Sequence, residues 1–269
     1  MERGVTGMGK MNSAAFTGFL LCFVAIIFGI MTNGGINAIL NLIHIPSFIV
    51  TFGGALFAVL MTADSFTDFQ EGLISFSRAF QKQGISVYEL AEQIFELSET
   101  GRKEGLLALE EASNQIEFDF LKKGITLIVD GSDPELVRDI LESEMIHKEE
   151  RNRKNINFWQ DLGAYGPAWG MLGTLLGLIN MMKSMGSNVD AIGSGMSLAL
   201  ITTLYGSMLA NWICIPIGRK LEKCSNEELL IMEVVTEGVL SIQAGENTRI
   251  IREKIRSVIE METKEEENA

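Results

Sequence analysis

The stretch "GAYGPAWGMLGTLLGLINMM", residues 163–182, combines the apolarity of a membrane helix with a row of glycines. It has no charged residue, and a helix of about 20 residues crosses the roughly 30 Å hydrocarbon core of a bilayer. Its glycines recur at intervals of three and four residues, so they share one helix face. The stretch therefore predicts a membrane-spanning helix that another helix can approach closely. The glycines are Gly163, Gly166, Gly170, Gly173 and Gly177.

The remaining sequence predicts an all-α integral membrane protein with four spans. The spans are predicted at 15–31, 46–62, 164–182 and 196–216, and none contains a charged residue. Lysine and arginine cluster after the second span, before the third and after the fourth. The positive-inside rule then places both termini and the middle segment in the cytoplasm. The other predicted segments are a cytoplasmic N-terminus (1–14), a helical cytoplasmic domain (63–160), external connections (32–45 and 183–195), and a cytoplasmic C-terminal helix with an acidic tail (217–269).

Small residues also form stripes on the second and fourth predicted spans. Such stripes let helix backbones approach closely, which is how helices associate where lipid offers no hydrophobic gain. One interpretation is packing within a single chain. Because the pattern occurs in several spans, we instead expect additional helices, from other copies or from a second protein. The stripes are Ser47, Thr51, Gly54, Ala58 and Thr62, and Gly195, Ala199, Thr202, Gly206 and Ala210.

Three threonines stand on or beside these stripes: Thr174, Thr202 and Thr203. A helical threonine can simply bond back to a carbonyl four residues earlier. Hydroxyls that share a seam can also coordinate a cation or hold a water chain. The predicted spans lack the Asp, Glu or His that normally carries a proton or ion inside a membrane. If ions pass, the titrating group must belong to a partner.

Two prolines flank the same region, Pro167 in the third span and Pro216 at the end of the fourth. Each removes a backbone donor and can bend its helix. They are either ordinary helix-start and helix-stop residues or, at a shared depth, a hinge that couples the membrane to the cytoplasmic helices.

Apolar residues at helical spacing predict that the cytoplasmic parts are helical. We expect Gly101 to end a helix that begins near Ser86, and a long helix to run from "GSDPEL" (131–136) to the membrane, with Trp159 in an aromatic belt. Residues 219–262 are predicted to form one further helix. The net charge of −13 argues against nucleic-acid binding. The cysteine and histidine spacing suggests neither a disulfide framework nor a metal site.

Several segments resemble the MotA/PomA stator subunits of the bacterial flagellar motor. They are "PSFIVTFGG" (46–54), "RKEGLLALE" (102–110), "GPAWGMLGTLLGLINMM" (166–182) and "MSLALITTLYGSMLANWICIPIGRKL" (196–221). The resemblance covers nearly the whole chain and the order of its elements.

This resemblance implies a homo-oligomeric ring in the bacterial inner membrane, five copies around two MotB-like single-span chains whose membrane aspartate carries H⁺ or Na⁺. Thr174, Thr202 and Thr203 would line the ion path, and hydroxyls at Thr174 and Thr203 look more like the sodium-using members. Pro167 and Pro216 would couple ion flow to movement. The charges that engage the rotor protein FliG map to Arg102, Lys103, Glu110 and Glu111. Lys103 and Glu110, seven residues apart, would share a helix face.

Three other functions compete with this interpretation. An energy-transducing subunit like ExbB or TolQ would keep the ring and the ion, but its layout is three spans with the large segment after the first. A passive membrane scaffold would need no hydroxyl for ion flux. An enzyme is least favoured, because the sequence has no Cys/His pair, Ser/His pair or phosphate loop, and no cofactor is implied beyond the transported ion.

Overall fold

The computed structural model describes residues 12–81, 86–114, 116–184 and 189–268, and its regular structure in these ranges is helical. Helix α1, Ser13–Leu42, begins where the Asn12 side chain accepts a hydrogen bond from the Ala15 amide, 3.3 Å. Gly35, with φ of 64°, interrupts it. Because α1 extends to Leu42, much of the predicted external connection 32–45 is helical.

The second span is one nearly continuous helical path made of three pieces. These are α2, Ile45–Phe48, a π-helical turn, Ile49–Gly53, and α3, Gly54–Thr62. Helix α4, Phe66–Arg78, follows at once, and the Ser65 side chain caps it by accepting from the Asp68 amide, 3.2 Å.

The middle of the chain forms three shorter helices and one very long one. They are α5, Val87–Glu104, α6, Leu106–Ser113, α7, Asp119–Val129, and α8, Pro134–Ser184. Asp133 accepts from the Glu135 amide at 2.9 Å and so satisfies a donor in the first turn of α8. The long helix expected from "GSDPEL" into the membrane segment is present as a single element of 51 residues.

The last part of the chain contains α9, Val189–Met208, a π-helical turn, Leu209–Cys214, α10, Ile215–Gln243, and α11, Thr248–Asn268. The expectation of one helix over 219–262 is wrong. Gly245 adopts φ of 67°, a left-handed conformation that stops α10. The Lys254 ammonium of α11 then pairs with Glu237 of α10 at 3.0 Å and with Glu246 at 2.9 Å, fixing the turn.

These helices belong to two compact units. The first, here called the membrane unit, combines residues from 1–82 and 152–222, and the second, the helical unit, combines residues from 83–151 and 223–269. Four helical segments are long and apolar enough to cross a membrane: Ser13–Thr32, Ile45–Thr62, and parts of Pro134–Lys183 and Ile192–Gln243.

Each unit has its own apolar core. In the membrane unit, Trp159 is 4% exposed, and its indole Nε1 donates to the Ser75 hydroxyl at 2.9 Å. The placement of Trp159 in an aromatic belt is therefore wrong, since α4 covers the ring. In the helical unit, the missing side chain of Gly238 admits Ile94, because a Cβ there would lie 2.6 Å from Ile94 Cγ2.

Candidate functional site

The glycine stripe of α8 packs directly against the small-residue stripe of α9. A Cβ at Gly166 would lie 3.2 Å from the Gly206 carbonyl oxygen, and a Cβ at Gly170 would lie 2.9 Å from the Thr202 carbonyl oxygen. Further along, a Cβ at Gly177 would lie 2.5 Å from the carbonyl oxygen of Gly195. Contacting residue numbers rise on α8 as they fall on α9, so the two helices are antiparallel. Their backbones touch along this line, which we call the seam.

The small-residue stripe of the second span packs against the same two helices, α8 and α9. The Thr51 hydroxyl donates to the Thr202 carbonyl at 3.4 Å, and the Ser47 hydroxyl donates to the Leu198 carbonyl at 3.5 Å. Gly54 receives the Trp169 indole, since a Cβ there would lie 2.2 Å from its Cε3 atom. Contacts within one chain thus occupy much of all three stripes. The stripes therefore give no support to the expected additional helices.

Thr202 lies inside the seam. Its side chain is fully buried, and its hydroxyl donates to the carbonyls of Leu198 at 2.9 Å and Ala199 at 3.0 Å. A Cβ at Gly173 would lie 2.5 Å from its methyl carbon. Helix packing within this chain therefore encloses the Thr202 hydroxyl.

Thr174 and Thr203 leave the seam instead. Thr174 is half-buried and donates to the Met171 carbonyl at 2.6 Å, and Thr203 is exposed and donates to the Ala199 carbonyl at 3.2 Å. Thr174 follows the seam residue Gly173, and Thr203 follows the seam residue Thr202. Viewed from one end, the chain of one antiparallel helix turns clockwise and that of the other turns anticlockwise. One step beyond the seam therefore brings both threonines to the same side of the helix pair. Thr203 lies level with Gly170, since a Cβ at Gly170 would be 3.5 Å from the Thr203 Cα, and this puts the two threonines roughly 6 Å apart in depth.

That side of the pair lies opposite the second span, which packs beside Trp169 and Tyr205. No Asp, Glu or His occurs in residues 164–182 or 196–216. The face around the threonines is exposed and mostly apolar. It includes Leu178, Met196 and Leu200. A face with two hydroxyls and no ionisable group can contribute to an ion path, but it cannot hold the charge-carrying group itself.

The two prolines differ in their surroundings and depth. Pro167 lies within α8 beside Gly206, where a Cβ on Gly206 would be 3.1 Å from the Pro167 Cα. Pro216 is exposed and follows the π-helical turn Leu209–Cys214, in which the Ile215 amide donates to the Ala210 carbonyl. Proline clashes with the carbonyl four residues earlier, and such a turn accommodates that strain.

The expectation that the prolines share a depth is wrong. Gly218 lies level with Trp159, because a Cβ at Gly218 would be 3.6 Å from the Trp159 Cβ. Pro216 precedes Gly218 by two residues, so on the antiparallel α8 it lies level with residue 161. Pro167 is six residues further along α8, and the two prolines therefore differ in depth by roughly 9 Å.

The four charged residues matched to rotor contacts are exposed on the helical unit. They lie on either side of a chain reversal between α5 and α6, with Arg102 and Lys103 before it and Glu110 and Glu111 after it. Lys103 pairs with Glu99 at 3.0 Å, and both side chains are more than half exposed. Gly105 between the helices adopts φ of 87°. The expectation that Lys103 and Glu110 share a helix face is therefore wrong.

Gly105, and not Gly101, ends α5. Gly101 lies inside the helix, where its missing side chain admits the fully buried Leu109, since a Cβ there would be 3.2 Å from Leu109 Cδ1. Leu109 thus anchors α6 under α5 and fixes the spacing of the exposed charges.

We expect Gly105→Ala to destabilise the helical unit by about 1–2 kcal/mol, because alanine pays that penalty in a left-handed conformation. Thermal unfolding of the purified chain in detergent measures the change. Gly131→Ala, at φ of 74° in another turn, should show a similar loss of stability without altering the α5–α6 reversal. Unchanged unfolding temperatures in both variants would contradict the strain assigned to these two turns.

Sequence patterns did not reveal how the ends of the second span are held. His44 accepts from the Ser47 amide at 3.3 Å, and Tyr205 donates to the Leu42 carbonyl while accepting from the His44 amide. At the other end, Lys154 pairs with Asp64 at 3.2 Å and Asp68 at 3.0 Å. The hydrogen bond to Asp68, followed by that to Asp64, raises the Lys154 pKa. These partners are far apart in sequence, so only the fold brings them together.

The fold and this site define a class of protein first. An all-helical chain with four apolar segments of membrane length, packed through small-residue stripes, has the design of an integral membrane subunit. Residues 112–234 match the model of the MotA/TolQ/ExbB proton channel family.

Comparison with individual proteins narrows this class. The chain is 34% identical over 257 residues to motility protein A of Treponema pallidum, covering 95% of this chain and 97% of that one. It is similar to a solved structure of C. jejuni MotAB, with 27% identity, a TM-score of 0.82, and coverage of 92% of this chain and 96% of that one. The flagellar MotAB stator complex of Bacillus subtilis matches with 30% identity, a TM-score of 0.79, and coverage of 89% and 93%. The chain belongs to the motility protein A family of flagellar stator subunits.

Proposed function

We propose that this chain is the ion-driven, torque-generating subunit of a flagellar stator, with four spans in the inner membrane and both termini and the helical unit in the cytoplasm. The observation that carries the proposal is the exposed face with Thr174 and Thr203 but no ionisable group. The missing carboxylate comes from a MotB-type single-span partner, as the MotAB composition of the similar complexes supports.

In this proposal, five copies form a ring around two partner chains, and the inner wall of the ring is the Thr174–Thr203 face. H⁺ or Na⁺ binds the partner's carboxylate and leaves inward past these hydroxyls. Because the seam joins α8 to α9 backbone to backbone, a shift of this wall moves both helices together. The ring then rotates around the partner and drives the rotor protein FliG through the exposed charges at 102–111.

Pro167 is the coupling residue closest to this wall. It lies in α8 one turn from Gly163 and beside Gly206, where one backbone hydrogen bond of the helix is missing. Pro216 and the preceding π-helical turn form a second flexible point roughly 9 Å away. Two separated flexible points, one in α8 and one at the start of α10, let the apolar helices tilt while α8 and α9 stay in contact along the seam.

An ExbB- or TolQ-like role is the second candidate, because the matching family model includes those proteins. It is less supported, since the similar full-length chain and the similar complexes are motility proteins. Deleting the gene distinguishes the two. Flagellated but paralysed cells are expected for a stator subunit, whereas normal swimming with defective envelope transport would contradict the stator proposal. Complemented cells compared in sodium and in potassium medium identify the ion.

The two hydroxyls outside the seam should matter for ion flow more than the buried one. Thr174→Val and Thr203→Val each remove a hydroxyl whose hydrogen bond to a charged group is worth about 1.5–3 kcal/mol, so we expect a roughly tenfold or larger loss of flux. Thr202→Val keeps the shape of the buried side chain and removes only hydrogen bonds to its own helix. Rotation speed of tethered beads measures the effect. Equal losses at all three positions would contradict the assigned path.

The rotor-facing charges should act independently, because Lys103 pairs with Glu99 of its own helix and not with Glu110. Lys103→Glu and Glu110→Lys should each reduce stall torque, and their free-energy effects should add within about 0.5 kcal/mol in the double variant. Exposed charges are screened, so both losses should grow smaller as intracellular salt rises. Recovery of torque in the double variant would instead show that the two residues act as a pair.

A further inference from the structure

A narrow cavity in the membrane unit lies apart from the seam and from the proposed ion path. Its volume is about 300 Å³, and it lies between α1 and residues 211–220, which cover the end of the π-helical turn and the start of α10. The walls include Gly18 and Cys22 of α1, Phe80, and Pro216 and Lys220 of α10. We call this cavity the α1 slot.

The slot exists because aromatic rings hold α1 away from the rest of the unit. Phe19 and Phe23 stack on Trp212 with ring centroids 4.9 and 5.4 Å apart, and the Trp212 indole donates to the Phe19 carbonyl at 3.2 Å. On the slot side α1 presents small residues instead. A Cβ at Gly18 would meet nothing within 4 Å. The rings therefore act as spacers, and small residues leave the space between them open.

The slot has a long apolar part and a cationic end. Lys220 lies at the end where α1 begins, beside Ala14 and Phe80, while Cys22 lies two turns further along α1, roughly 12 Å deeper. Asn211, also at the deeper end, donates its amide to the Ser207 carbonyl at 3.0 Å. Among the described residues, Lys220 forms no ion pair within 4 Å. An elongated apolar space that ends at an unpaired cation fits an acyl chain that carries an anionic headgroup.

We propose that the α1 slot binds an anionic phospholipid of the cytoplasmic leaflet, with one acyl chain along Gly18 and the phosphate at Lys220. The leaflet rests on the membrane orientation proposed above. A helix from a second copy would fill the apolar part, but the apolar segments of this chain contain no acidic residue to meet Lys220. A zwitterionic lipid such as phosphatidylcholine brings its phosphate together with a cationic choline, so its net attraction to Lys220 is weaker.

The position of the slot gives the lipid a role. The slot includes Pro216, which follows the π-helical turn, and the first apolar segment has none of its residues buried within the chain. An acyl chain in the slot fills the space between α1 and this turn. The bound lipid therefore braces α1 against one of the two flexible points of the membrane unit.

Brominated lipids test this proposal, because Trp212 lines the slot and bromine on an acyl chain quenches tryptophan fluorescence. The complete complex with its partner subunit is placed in nanodiscs of phosphatidylcholine that contain increasing fractions of acyl-brominated phosphatidylglycerol or acyl-brominated phosphatidylcholine. We expect quenching by phosphatidylglycerol to saturate at a fraction at least threefold lower than quenching by phosphatidylcholine.

Three variants assign the effect. Lys220→Gln should reduce the phosphatidylglycerol preference to the phosphatidylcholine level, and Gly18→Leu, which fills open space, should reduce slot quenching by both lipids. Arg219→Gln, an exposed neighbour that does not line the slot, is the matched control and should keep the preference. Unchanged elution volume and tryptophan emission maximum verify that each variant is folded.

Equal quenching by the two lipids in the unmodified complex, or an unchanged preference in Lys220→Gln, would overturn the proposal. Saturation absent for both lipids would mean that protein fills the slot, either residues 1–11 of this chain or a second copy, and would also overturn it. Because the assay does not require rotation, a lipid preference in a complex that fails to restore motility would count against the stator proposal alone. Restored motility without a preference would count against the lipid site alone.

Discussion

Replacing Gly206 by alanine is expected to abolish assembly of the membrane unit. A Cβ at this position would lie 2.6 Å from the Gly166 carbonyl oxygen and 3.1 Å from the Pro167 Cα. Both are backbone atoms, so no side-chain rotation relieves the clash, and α8 and α9 must separate. Overpacking in a close-packed interior costs about 1–3 kcal/mol or more, and separating these helices also disturbs the neighbouring contacts of Gly170 and Gly173. Membrane-inserted yield and complex size on gel filtration measure the loss.

Gly29→Ala is the matched control for this substitution. It adds the same methyl group to a glycine inside another apolar helix, α1, where a Cβ would meet nothing within 4 Å. Alanine stabilises a helix interior by roughly 0.5–1 kcal/mol relative to glycine. The two variants should therefore change stability in opposite directions. Similar losses in both would show that glycine flexibility, and not close contact, is what α9 requires.

Replacing Pro167 by alanine is expected to leave assembly intact and to stop rotation. Alanine restores a backbone donor to the interior of α8 and removes a ring that helices tolerate poorly, which favours the straight helix by about 3 kcal/mol. If torque requires α8 to bend at this point, that bias slows the conformational step roughly a hundredfold. Counts of fluorescently labelled stators at the motor measure assembly, and tethered-bead rotation measures output.

Pro134→Ala provides the control in the same helix. Pro134 is exposed in the first turn of α8, where a missing donor costs the helix nothing. This variant should assemble and rotate normally. Loss of assembly in Pro167→Ala would make Pro167 a packing residue beside Gly206, and normal rotation would remove it from the coupling path.

The sequence predicted the local features of the fold well because each depends on nearby residues. Charge-free apolar runs of membrane length indicated the spans, and "GSDPEL" (131–136) indicated the start of α8. Errors arose where two local signals competed. Gly101 and Gly105 both resemble helix stops in sequence, but only Gly105 has a positive φ, while Gly101 is needed for contact with Leu109.

The candidate site was only partly predictable for a different reason. Thr174, Thr202 and Thr203 were identified by residue type and by their proximity to small-residue stripes. Spacing alone could not distinguish Thr202, whose side chain packs on Gly173, from Thr203 one position later. That difference of one residue decides whether a hydroxyl is enclosed or exposed, because a helix turns by about 100° per residue.

The sequence by itself determined which helices can enter a membrane and that no Asp, Glu, His, Lys or Arg accompanies them there, since hydropathy and charge are properties of the residues. Only the tertiary structure decided what the glycine stripes contact. Stripes on α8, α9 and the second span could have faced other subunits, yet they face one another, because backbones that approach to contact gain packing throughout the seam. The hydroxyl face is exposed because the seam and the second span occupy the other sides of the same two helices.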